Sequence, residues 1–325
     1  MRKSFVSMQH GQWKRSFFTF LSMVLLTSSA LFAQSKDSKG PPKPQELTLT
    51  SQGGWPIAIT YYESSNAADA PVVVLLHGKG GNKRVWDNKF ASVLQQNGYA
   101  VVAVDLRKHG KSQPNVPGAS GNQNQKGSSR AANLSALDYK AMVVLDMETI
   151  WKFLFEEHQK KHLNMQKTAI IAADMSVPIA LNYALLDWGK VPYDDAPVLA
   201  AKTPKGQTVR ALVLISPESK VKGLTSSQPA VKLKEPVFGI SFFVCSSSGD
   251  SYDRNYTEKL FSLLTSATNS KGRMFKEAYP GKLRGTDMLG KRLGLEVDIL
   301  KFLEANLKKL PGDWSDRRPR YDREE

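Results

Sequence analysis

Proton transfer at neutral pH is the work of imidazole, whose pKa lies near ~6.5, so the histidines come first. There are five, His10, His77, His109, His158 and His162, and none lies beyond residue 162. Two of them sit in compact glycine-containing segments, His77-Gly78-Lys79-Gly80-Gly81 and Asp105-Leu106-Arg107-Lys108-His109-Gly110-Lys111-Ser112. Such segments form tight turns, and His77 and His109 are expected to brace those turns rather than to act as bases. Gly110-Lys111-Ser112 ends like a phosphate-binding loop, but the first glycine of that pattern would fall on Asp105, which sets the loop aside. The single cysteine, Cys245, closes the apolar run 240–245. It can form no internal disulfide, no cysteine spacing of the metal-binding type exists, and a buried core thiol is expected. A lone carboxylate, Asp174, stands between small and apolar neighbours in Ala172-Ala173-Asp174-Met175-Ser176.

The elements around these residues follow a repeating pattern. Residues 46–50 and 55–62 predict an opening strand pair around the turn at Gly53-Gly54. Pro71–Leu76 (PVVVLL) is a continuous β-branched run, as expected of a strand buried on both faces of a parallel sheet. A helix with Trp86, Phe90, Val93 and Leu94 on one face follows, ended by Gly98, and then a second buried strand over 99–104. A long helix is predicted over 136–162, where Val143, Met147, Ile150, Trp151 and Leu154 form one apolar stripe. Strands are predicted at 168–172, 210–215, 239–245 and 273–279, with helices at 177–186, 255–264 and 293–307. Strands alternating with amphipathic helices imply parallel crossovers and a doubly wound α/β sheet of about eight strands. Only about 23 residues separate Ile215 from Gly239, so no large lid domain is expected. In such a sheet ligands sit beyond the carboxyl ends of the strands, which is where the His77, His109 and Asp174 segments fall.

The HGxGG turn after one strand and D-x-R-x-H-G-x-S after the next resemble the α/β-hydrolase fold family, in particular its esterase, lipase and proline-peptidase-like group. The resemblance spans about 46–307, most of the chain. It implies an oxyanion hole built from backbone amides, here those of Lys79 and Met175. It also implies a G-x-S-x-G elbow after the strand at 168–172, and the helix Val177-Pro178-Ile179-Ala180-Leu181-Asn182-Tyr183-Ala184 sets the register. The nucleophile position is then Asp174, not serine. Ser176 stands where the family has glycine, two residues late, and as a displaced nucleophile it should point away from the oxyanion hole. The family's acid position falls on Asp250, with Asp253 in reserve, and its histidine position falls on Arg284. Serine needs a neighbouring base, and a guanidinium, with pKa above ~12, cannot be one. It can donate to two carboxylates at once, so Asp174 and Arg284 are expected within salt-bridge reach.

Three functional readings stay open. The first is a non-catalytic member that binds a small ligand or a cell-envelope component at the former active site. The second is a hydrolase with an aspartate nucleophile, like the haloalkane dehalogenases and epoxide hydrolases that the fold also carries, using Asp174. The third is an active carboxylic-ester or peptide hydrolase with a rearranged triad. No cofactor and no metal are expected, and a monomer is.

Bulk features add context. A basic start (Arg2, Lys3, Lys14, Arg15), an apolar run over 17–32 and small residues at Ala30 and Ala33 describe a signal peptide over 1–33, implying a periplasmic or secreted protein. The run is shorter than the ~20 apolar residues of a spanning helix, so membrane association is expected only through an uncleaved leader. Residues 34–45 form a linker, 46–310 the folded domain and 311–325 a charged tail expected to be disordered. The formal net charge is +15, of which the leader contributes four. Acids and bases alternate along the helices without an aromatic stripe, so nucleic-acid binding is not expected.

Overall fold

The protein is described by a computed structural model, which covers residues 40–114, 133–266 and 272–323. The leader expected over 1–33, the first half of the linker (34–39) and the segment 115–132 lie outside these residues. The β-branched runs form strands as expected: β1 (Gln45–Thr50), β2 (Pro56–Tyr62), β3 (Pro71–Leu76), β4 (Ala100–Val104), β5 (Asn164–Ala173) and β6 (Val209–Ile215). A hairpin of β7 (Lys220–Val221) and β8 (Leu224–Thr225) follows, then β9 (Ser241–Ser247) and β10 (Met274–Tyr279).

Eight of these strands make one sheet in the order β1-β2-β4-β3-β5-β6-β9-β10. β2 pairs antiparallel with β1 and β4, and every other neighbour pair is parallel. Alternation along β3 shows how the sheet is buried on both sides. Val72, Val74 and Leu76 join one apolar cluster, while Val73 and Leu75 join the other. All five are at most 2% exposed, and each such side chain contributes about 1.5–3 kcal/mol by leaving water.

Helices cover both faces. α1 spans 84–96 with a π-turn at Asp87–Ala91. α2 spans 136–159, begins in a Ser135–Asp138 capping box and carries a π-turn at Met142–Asp146. α3 is Ser176–Trp188, α4 Ser227–Leu233, α5 Tyr256–Thr265, and α6 spans 295–308. The predicted strand 168–172 is extended backwards to Asn164, because Asn164 N donates to Ala70 O and the β3 edge stays available. The stretch between Ile215 and Gly239 is not bare loop: it holds the β7–β8 hairpin and α4, a small cap on the sheet's carboxyl edge. Neither has enough residues to show a hydrophobic period.

One expectation about an irregular region is corrected. Residues 311–323 are not a disordered tail. Trp314 donates from Nε1 to His158 O (2.7 Å) and its ring lies 5.2 Å from the His158 imidazole. Arg317 is buried and donates to Pro204 O and Gly206 O. Charged residues without an apolar period can still be ordered when carbonyls exposed by another loop await donors. Ser112 is likewise ordered and fully buried: its Oγ accepts from Ala58 N and donates to Asp105 O. Among the described residues, no helix is long and apolar enough to cross a membrane.

Candidate active site

The loops that end β3, β5, β6 and β9, together with the segment after β10, converge at the carboxyl edge of the sheet. Asp174 occupies the turn between β5 and α3 with a left-handed backbone (φ 58°). Few non-glycine residues adopt this conformation without a functional or structural constraint. Its amide donates to Ile215 O (2.9 Å), which ties the elbow to the end of β6. Gly78 lies over it: a Cβ there would come within 3.2 Å of the Asp174 Cβ, so the absence of a side chain lets the two turns approach. The amides of Lys79 and Met175, on adjoining turns, are the positions that the resemblance assigns to an oxyanion hole. Lys79 is exposed and Met175 is buried.

Ser176 is fully buried and occupied. Its Oγ accepts from Ala173 N (2.9 Å) and lies 2.8 Å from Ala173 O and 3.1 Å from Leu76 O. It cross-links β5, β3 and the start of α3, and has no path to act as a nucleophile.

Arg284, the residue that the resemblance assigns to the histidine position, is a cation among carboxylates. Arg284 Nε lies 3.7 Å from Asp174 Oδ2, inside the reach expected of the pair, and its Nη1 donates to Asp250 Oδ2 at 2.8 Å. Arg284 Nη2 also meets Glu218 Oε1 at 3.4 Å. Asp250 is held from the other side by Tyr252 N, which donates to Oδ1 (2.9 Å). Asp253 takes no part: its Oδ1 caps α5 by accepting from Thr257 N. The next residue after Arg284, Gly285, donates its amide to Ser216 Oγ (2.9 Å), which fixes the loop against the end of β6. Asp174 Oδ1 is buried with no hydrogen-bond partner among the described residues.

Glu218 was not foreseen. It sits just after β6 in a short stretch with no motif, and only the fold brings it to Arg284. Burial and the neighbouring Asp174 carboxyl push its pKa up to about 7, against the opposing pull of Arg284. One guanidinium therefore faces three carboxyl groups, and one of these is poised to hold a proton near neutrality.

The four imidazoles among the described residues are engaged elsewhere. His77 Nδ1 donates to Gly78 O (2.8 Å) and its Nε2 accepts from Leu106 N (3.1 Å), so both ring nitrogens brace turns. Burial, with His109 beside it, lowers its pKa to about 3 and keeps it neutral. His109 Nδ1 donates to Arg107 O, and its ring lies 4.8 Å from that of His77. His158 packs beneath Trp314, and His162 pairs with Glu157. Cys245 is buried in the core, which pushes its thiol pKa upward. Among the described residues no group of three or more His, Cys, Asp or Glu side chains is arranged to hold a metal ion.

Sheet order, the strained elbow and the converging turns define an α/β-hydrolase architecture. The sequence model of the alpha/beta hydrolase fold matches residues 71–236. The chain belongs to the α/β-hydrolase fold family. The curated proteins contain no sequence match. Among solved structures, similarity extends to a carboxyl esterase from Bacillus coagulans in complex with glycerol (14% identity, TM-score 0.54, 82% of this chain and 99% of that one). An esterase from Pyrococcus furiosus is 12% identical with TM-score 0.54 over 82% of this chain and 92% of that one. Dienelactone hydrolase from Anabaena variabilis is 15% identical with TM-score 0.50 over 82% of this chain and all of that one.

Proposed function

We propose that this protein is a non-hydrolytic member of the family that binds a small ligand or cell-envelope component where its relatives carry out chemistry. The observation that carries this reading is Arg284, held by Asp250 and Asp174 in the place of a base. A guanidinium remains protonated and cannot accept a proton from a nucleophile or a water. In the same reading the basic leader exports the chain, which acts as a monomer in the periplasm or outside the cell.

The test is chemical. The purified protein should leave short nitrophenyl esters intact and should not be labelled by fluorophosphonate probes; a serine adduct would overturn the reading. The double change Asp174→Ser with Arg284→His should create measurable ester hydrolysis, because it restores nucleophile and base at the register argued above.

One observation favours a second reading, an aspartate-nucleophile hydrolase. Asp174 stands at a strained elbow with Oδ1 unpartnered among the described residues. Incubation with an alkyl halide or an epoxide followed by mass spectrometry decides it. An ester adduct on Asp174 supports this second reading, and an unmodified peptide supports the first.

A further inference from the structure

Beside the Arg284 cluster opens a cleft of about 480 Å³, within the range of about 300–1,000 Å³ that suits small organic ligands. Glu218 and Arg284 form its inner wall, and Tyr252, Arg254, Tyr256 and Lys259 belong to its rim. The charges on the two sides differ in kind. Arg284 is committed to carboxylates. Arg254 and Lys259 enter no ion pair among the described residues. The rim's one acid, Asp253, has Oδ1 engaged by the Thr257 amide and hydroxyl.

The backbone is strained where this rim is made. Arg254 (φ 47°) and Asn255 (φ 62°) are consecutive left-handed residues, each costing about 1–3 kcal/mol. Their turn brings Tyr252, Arg254 and Tyr256 onto one cleft. Asp174 and Ser216, at the inner end, are also left-handed non-glycine residues. Arg254 lines the cleft itself, Asn255 and Ser216 each adjoin a lining residue in the chain, and Asp174 meets the lining residue Arg284, so strained backbone borders the cleft at both ends. Tyr252 is 74% exposed, with its ring 5.8 Å from the Arg284 guanidinium. An exposed amphipathic ring beside polar groups offers a flat apolar face with a wet edge.

We infer that this cleft binds a monosaccharide carrying one anionic substituent, a sugar carboxylate or a sugar phosphate. The anion meets Arg254 and Lys259, the ring's C–H face lies on Tyr252, and hydroxyls reach Glu218 and Arg284. Hydroxyls fit that inner wall because each can donate to a carboxyl and accept from a guanidinium. A bare anion does not, because Glu218 and Asp250 repel it. The inference rests on the reading of the site as one that binds.

The test is a titration of the full chain, followed by NMR, with D-glucuronate, D-glucose 6-phosphate, D-glucose and inorganic phosphate. Both sugar anions should bind at least about tenfold more tightly than glucose or phosphate, and whichever binds better identifies the anionic group. Arg254→Ala with Lys259→Ala should abolish that preference and leave glucose binding unchanged. Tyr252→Ala should weaken glucuronate about tenfold without moving phosphate. These are exposed positions, and an unchanged melting temperature confirms that the variants fold. Phosphate binding as tight as glucuronate, variants that bind like the parent, or no saturation up to ~50 mM would each overturn the inference. Ester hydrolysis by the parent would instead remove the underlying reading and leave a positive titration standing.

Discussion

Two arginines in this protein answer the same problem differently. Arg107 faces one carboxylate, Asp146, which it meets through Nε at 2.9 Å and through Nη2, while Ser51 Oγ donates to the same carboxylate. Its guanidinium lies 4.5 Å from the centre of the Trp55 ring, and both charged side chains are less than a tenth exposed. Charge is balanced and lone pairs are filled, so the pair locks β1, β2 and the π-turn of α2 into one unit. Arg284 instead faces three carboxyl groups at 2.8, 3.4 and 3.7 Å, is 19% exposed, and leaves Asp174 Oδ1 without a hydrogen-bond partner among the described residues. The first cluster is complete and the second is in surplus negative charge beside a cleft. A balanced buried pair serves the fold, and an overloaded one remains available to protons and ligands.

The comparison is broken most sharply at Arg107. Arg107→Ala leaves Asp146 buried without its cation and should cost about 3–5 kcal/mol, read as a fall in the urea midpoint. Sugar binding in the surviving folded protein should be unchanged.

Arg284→Ala should cost less, roughly 2 kcal/mol at pH 8, because its site is partly open to water. Here the loss should shrink towards pH 5, where Glu218 holds its proton and no longer depends on the guanidinium. A loss equal to that at Arg107 and independent of pH would erase the distinction between the clusters.

The smallest effect has the opposite sign. Glu218 has a folded pKa of about 7 against an ordinary 4.5. Below pH 4.5 it is protonated in both folded and unfolded chains. Between 4.5 and 7 the folded chain holds the extra proton, so stability falls as pH rises through this window. Glu218→Gln removes the dependence and should stabilise the protein by roughly 1 kcal/mol at pH 8, a value reduced for solvent screening. Near pH 4 it should be neutral. Thermal melts at both pH values check this, and destabilisation at pH 8 would mean that Glu218 serves Arg284 as an ordinary counter-ion.

Much of this was open to reading in the residues alone. The runs that became β3 and β4 are apolar at every position, and β6 at every position but Arg210, a pattern that suits strands covered on both faces. The HGxGG turn and the Ala173-Asp174-Met175 elbow stood at recognisable distances from them. That no histidine falls within 163–325 was a matter of counting. Other parts were not open to it. Glu218 lies in a motif-free stretch, the β7–β8 hairpin is two residues a side, and the order of 311–323 depends on the carbonyls of Pro204 and Gly206, over a hundred residues away.

The sequence by itself determined the architecture, the lack of histidine over 163–325 and the carboxylate at Asp174, because hydrophobic period and residue chemistry are local properties. Only the tertiary structure decided that one guanidinium serves Asp174, Glu218 and Asp250, that Ser176 is consumed in backbone contacts, and that Arg254 and Lys259 share a cleft with Glu218 and Arg284. Charge interactions depend on distance and burial, and neither exists until the sheet brings the strand ends together.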